Sequence, residues 1–215
     1  MTVVIMNPIF EFLISPYENY QTLDIALEAT AVILGLLSVY FAKRDQIAVY
    51  PSGMISTAIF VYLLFKANLL GDMLINAYFF LVSIYGWYFW QNKKKKKSEN
   101  PISKMDPFER KWWRLFFILI LFFVAGVYNF FDKWNDWSAP VDCFTTALFF
   151  LGMWFMARKR IEHWIFWIVG DIISIPLYLY KGLGLTSIQY LIFTLIAIFG
   201  YIQWKKIYIS KKATV

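Results

Sequence analysis

The sequence predicts an all-α integral membrane protein with seven transmembrane helices, grouped three, one and three as a parallel repeat. Three observations carry that prediction. The chain is 60% hydrophobic and 16% charged over 215 residues, against about 25% charged in an ordinary soluble domain, and apolar runs of spanning length recur along it. Once seven helices are laid down, 18 of the 21 Lys and Arg fall on one side. Short motifs also return at an almost constant spacing, the mark of an internal repeat.

Residues 1–22 come first. They carry no basic n-region and no small-residue cleavage site, so they do not read as a signal peptide. Phe10, Phe12, Leu13 and Ile14 around Glu11 predict an interfacial segment. Helices over 23–42, 47–66 and 69–91 make the first three-helix repeat, residues 23–91. Residues 92–138 hold a basic loop, a linker helix over 112–131 and an outer loop. Lys93 to Lys97, followed by Ser98-Glu99-Asn100-Pro101, read as a polar, mobile connection. Helices over 139–157, 163–180 and 186–206 make the second repeat, residues 139–206, and 207–215 form a basic tail.

The charges orient this arrangement. Lys43 and Arg44, the 92–114 segment, Arg158 to Arg160 and the C-terminal lysines share one face, which the positive-inside rule places in the cytoplasm. Lys66, Lys133 and Lys181 stay on the other, with the N-terminus. The net charge of +7 then reads as topology and contact with anionic membrane lipids. It gives no reason to expect nucleic acid as a partner.

The repeat is legible in three places. Ala42-Lys43-Arg44 returns as Ala157-Arg158-Lys159, and Phe65-Lys66-Ala67 as Tyr180-Lys181-Gly182, both 115 residues on. Tyr85-Gly86-Trp87-Tyr88-Phe89-Trp90 returns as Phe199-Gly200-Tyr201-Ile202-Gln203-Trp204, with one residue lost. One odd linking helix gives both triplets the same orientation, a repeat about an axis along the membrane normal.

The candidate site is centred on the sixth helix. Trp164, Trp167 and Asp171 lie at i, i+3 and i+7 and share one face, which Ser174 and Tyr178 extend. Two indoles beside a lone carboxylate at membrane depth make a slot for a flat cationic ring. The alternative is an interfacial Trp and a carboxylate bonded to a neighbouring helix. Ser56 is the 115-residue mate of Asp171 on the second helix. Asn76 and Ser83 share a face of the third, and Gln189 starts the seventh. Pro176 predicts a kink one turn beyond Asp171, and Pro51-Ser52-Gly53 soften the matching region. Glu28 is either interfacial or a cavity residue, Asp142 belongs at the headgroups, and Thr57, Thr145 and Thr146 read as helix-to-helix contacts. Cys143 reads as packing.

Other functions find little support. His163 is the only histidine and has no ligand-spaced partners, so neither a metal nor a cofactor is expected. No catalytic motif appears, which leaves a membrane enzyme acting on lipid-linked substrates as a distant alternative. A retinal protein would need a lysine deep in the last helix, whereas Lys205 sits at its end. A channel would want rings of pore-lining charge.

Taken with Ile84-Tyr85-Gly86-Trp87, Arg158-Lys159 and Ile161-Glu162, the pattern Trp164-x-x-Trp167-x-x-x-Asp171 resembles the PnuC nicotinamide riboside transporter family. The likeness covers residues 24–206. It implies a SWEET-like fold, a homotrimer in the inner membrane, and facilitated diffusion of a vitamin that a cytoplasmic kinase traps by phosphorylation. The family's motif ends in Asn after its two Trp, all three contacting substrate, where this chain has Asp171. A helix-two Asn and helix-three Gln of that family align with Ser56 and Asn76. The family also includes thiamine transporters. Both vitamins carry a fixed positive ring, so the expected substrate is nicotinamide riboside, with thiamine as the alternative.

Overall fold

Seven helices follow one another: α1 (Thr22–Lys43), α2 (Val49–Lys66), α3 (Leu70–Lys95), α4 (Pro107–Phe130), α5 (Ser138–Ala157), α6 (His163–Tyr180) and α7 (Gly184–Ala213). This computed structural model describes residues 21–66, 70–95, 102–134, 136–181 and 184–213. Each of the seven helices is long and apolar enough to cross a membrane. Among the described residues there is no strand, only a single parallel bridge between Ser103 and Arg160.

The helix boundaries depart from the sequence expectation where polar residues continue a helix out of the apolar zone. α4 begins at Pro107, five residues ahead of the apolar run. Asp106 caps it: its carboxylate accepts from the Glu109 N–H at 2.8 Å, and Glu109 accepts from the Asp106 N–H at 2.9 Å. Pro at the first helical position suits this start. α3 runs on through Lys95, because Gln and Lys are good helix formers. Lys93 to Lys95 are therefore helical rather than part of a mobile loop. The expectations for residues 1–20 and 96–101 fall outside the described residues.

α5 is the central helix. Within its spanning window 72% of residues are buried, against 11% for α1 and α4, whose surfaces are mostly left uncovered by the rest of the chain. α2 packs between α1 and α3, and α6 packs between α5 and α7. The two triplets then meet at α1 with α7 and at α3 with α5, while α4 rests on α5.

Contacts in one triplet have mates in the other. Trp90 Nε1 donates to the Ala157 carbonyl at 3.1 Å, and Trp204 Nε1 donates to the Ala42 carbonyl at 2.9 Å. Each indole thereby supplies a donor to the last turn of a helix in the opposite triplet, where carbonyls lack intrahelical partners. Lys66 pairs with Asp24 at 2.7 Å at the far end of the first triplet. Lys181 pairs with Asp142 at the far end of the second. Two non-glycine residues in the turns at the basic end, Asp45 (φ 55°) and Lys159 (φ 56°), both adopt the left-handed conformation.

Glycine matters at Gly200, where the helix backbone meets an indole. A Cβ there would lie 2.6 Å from Trp164 ring carbons. Its repeat mate Gly86 abuts the Tyr50 ring in the same way. Gly200→Leu is expected to cost about 1–3 kcal/mol by overpacking. A melting temperature of the purified protein equal to the parent's would show that the indole can retreat at no cost.

The linker is tied down at the basic end. Ser103 N–H donates to the Lys159 carbonyl at 3.0 Å, and Ile161 N–H returns a bond to Ser103 at 2.9 Å. Glu109, almost wholly buried, pairs with Arg158 at 3.0 Å and Arg160 at 2.8 Å. The Glu109 backbone N–H, together with Arg160 and Arg158, holds the Asp106 carboxyl below its ordinary range.

Candidate functional site

A cavity of about 210 Å³ lies between the two triplets, with walls from α1, α2, α3, α5, α6 and α7. Seven of the residues that the sequence singled out line it: Ser56, Asn76, Ser83, Trp164, Trp167, Asp171 and Gln189. They come together because a polar group at membrane depth is stabilised only where it faces protein or a cavity.

Asp171 is the only charged residue among the described lining residues. It is 1% exposed, and its Oδ1 has no hydrogen-bond partner. Helix periodicity puts it one face with Trp164 and Trp167, two turns along. Ser56, its repeat mate, is held differently: its hydroxyl donates to the Ala31 carbonyl at 2.7 Å. The wall thus has one free carboxylate oxygen and one hydroxyl already committed to α1.

The two tryptophans have different surroundings. Trp167 is half-buried and stacks on Phe149, with centroids 5.2 Å apart and planes 25° from parallel. Phe79 meets it at 6.3 Å. The edge of Trp167 fits over Gly152, whose missing side chain leaves room for it. Trp164 is 1% exposed and packs against His163 at 4.4 Å and Trp204 at 5.8 Å. It belongs to the buried core as well as to the cavity wall.

Several lining residues escaped the sequence reading. Phe79, Phe149 and Tyr190 form an aromatic band beside Trp167, with Phe149 and Tyr190 stacked at 5.9 Å. Nothing in a chain with 22 Phe marks these particular rings in advance. Ser174 and Tyr178, which extend the Asp171 stripe, do not line the cavity: Ser174 is fully buried, and Tyr178 packs on Tyr190 at 5.0 Å. Glu28 lies off the cavity too, and Asp142 is engaged with Lys181. His163 is fully buried, with its Nδ1 2.6 Å from the Arg160 carbonyl. Among the described residues no group of His, Cys, Asp and Glu is placed to hold a metal.

An aromatic cavity with a single carboxylate, set between two helix triplets, is the architecture of a small-molecule carrier. The family described as nicotinamide mononucleotide transporter matches residues 25–206. The chain belongs to that family. It is therefore a multi-pass membrane transporter and not an enzyme. Over 205 residues it is 25% identical to the nicotinamide riboside transporter PnuC of Escherichia coli (strain K12), covering 83% of this chain and 84% of that protein. The riboflavin/roseoflavin transporter RibM of Streptomyces davaonensis is 22% identical, with 80% of this chain and 81% of that protein covered. The fold matches a crystal structure of the vitamin B3 transporter PnuC with a TM-score of 0.63 at 22% identity, over 86% of this chain and 83% of that one.

Proposed function

We propose that this chain takes up nicotinamide riboside across the inner (cytoplasmic) membrane by facilitated diffusion, with a cytoplasmic kinase trapping the product. The observation that carries the reading is Asp171, a carboxylate with an unpartnered buried oxygen in a cavity of aromatic faces. A pyridinium ring satisfies both features, because aromatic faces and a carboxylate each attract fixed positive charge. Relatives named for nicotinamide riboside support it. Riboflavin, named for one relative, has a neutral ring and leaves the carboxylate without a counter-charge. Thiamine offers a cationic ring but no support from the relatives named here.

The same seven lining residues are the proposed contacts, with Trp167 and Asp171 at the ring. The proposed orientation has the N-terminus outside and the basic end, including the C-terminus, in the cytoplasm, since 18 of 21 Lys and Arg lie there. The proposed assembly is a homotrimer in which each chain holds its own cavity. Saturable uptake of labelled nicotinamide riboside into cells lacking their own carrier is the expected result. Saturable uptake of thiamine or riboflavin in its place would overturn the assignment.

A further inference from the structure

The cavity has a floor at the basic end, and its bonds run from one triplet to the other. Trp90 and Trp204 are buried there, and their rings approach to 6.4 Å. Each indole holds a carbonyl of the opposite triplet. Tyr50 closes on Trp90 edge-on at 5.1 Å. Beneath them the α1–α2 turn meets the α5–α6 turn. Lys159 Nζ lies 2.5 Å from Asp45 Oδ1 and 4.0 Å from the centroid of the Trp90 ring. Lys159 is 6% exposed, a depth at which an ammonium needs both the carboxylate and the ring face.

The opposite end is tied in another way. Lys66–Asp24 and Lys181–Asp142 each join two helices of the same triplet. Those pairs stiffen each half without fastening it to the other. The Asp45–Lys159 pair, by contrast, joins the α1–α2 turn of one triplet to the α5–α6 turn of the other. A carrier whose halves rock must part them at one end at a time.

We propose that Asp45, Lys159, Trp90 and Trp204 form the cytoplasmic gate, and that the Asp45–Lys159 pair is its latch. The pair holds the floor shut, and its separation lets the α1–α2 and α5–α6 turns move apart and opens the cavity to the cytoplasm. The gate rests on the proposed orientation for its side, though not on the identity of the substrate.

The test reads solvent access rather than transport. Val39 lines the cavity beside the floor. Val39→Cys in a Cys143→Ala background is labelled with a membrane-impermeant maleimide in inside-out vesicles. Asp45→Asn is expected to raise the labelling rate by at least about ten-fold through a shift of the closed population. Exchanging the charges, Asp45→Lys with Lys159→Asp, is expected to restore the parent rate. Both positions have left-handed backbones, and each residue type already adopts that conformation here, so the exchange suits the turns. Melting temperatures of the purified variants separate opening from unfolding. Folded Asp45→Asn and Lys159→Gln proteins that label at the parent rate would overturn the latch. A rise confined to right-side-out vesicles would support the latch and overturn the orientation instead.

Discussion

Asp171→Ala is expected to weaken binding of nicotinamide riboside by roughly ten- to hundred-fold. Hydrogen bonds and contacts to a charged group are worth about 1.5–3 kcal/mol, and each 1.4 kcal/mol is about ten-fold in affinity. The carboxylate sits in the cavity with one oxygen unpartnered and no lining cation to compete for it. Asp171→Asn separates charge from shape: it keeps a hydrogen-bonding side chain of the same size. The reduced riboside, whose ring is neutral, provides the control. If charge is what Asp171 contributes, the Asn variant loses affinity for the cationic riboside and keeps it for the reduced one. Calorimetric titration of both ligands against both proteins makes the comparison, and equal losses for the two ligands would sink the charge argument. Acidification removes the same charge, so cation affinity falls as Asp171 takes up a proton, and the Asn variant should lack that response.

Trp167→Ala is expected to cost about 1–3 kcal/mol of binding, from a lost ring contact in a desolvated site. Trp167 stacks on Phe149 and is only half-buried, so its removal should leave the fold standing. Trp164→Ala should behave in the opposite way. That indole fills the space above Gly200 and against Trp204 and His163. Its removal opens a cavity in the core at about 3–5 kcal/mol of stability. Melting curves and titrations of the two variants, side by side, distinguish a binding ring from a packing ring. Unchanged affinity in folded Trp167→Ala would make Trp167 a packing ring as well.

The sequence reveals this fold because a bilayer allows so few solutions. Every spanning segment must be helical and about the same length, so the apolar runs find all seven helices, while α3, α4 and α7 overrun the expected bounds by four to seven residues at their polar ends, α7 taking most of the expected 207–215 tail into its helix. The polar lining is legible for the same reason. Ser56, Asn76, Ser83 and Gln189 have few other environments open to them at that depth, and they face the cavity with Asp171. What escapes is whatever depends on a partner far along the chain. Phe79, Phe149 and Tyr190 are ordinary apolar residues until the triplets meet. Trp164 shares a helical stripe with Trp167, yet only the proximity of Gly200 and Trp204 makes it a core residue. Asp45 and Lys159 are two unremarkable turn charges in the sequence, and it is the meeting of the halves that pairs them. The early start of α4 was written locally, in Asp106-x-x-Glu109, ahead of the apolar run that sets the span.

The bond from Trp204 to the Ala42 carbonyl joins the last spanning helix to the first. It bears on how the protein is made. Synthesis runs from the N-terminus, so α1 and its neighbour α2 are made long before α7, which packs on the other flank of α1. Its final contacts are among the most distant in sequence and must wait for α7. Until then the first triplet is a half-molecule with an open flank. A ribosome that stalls before α7 leaves that flank exposed to lipid, as a surface for chaperones and proteases of the membrane to recognise. Docking of α7 on α1 is thus the step that covers that flank.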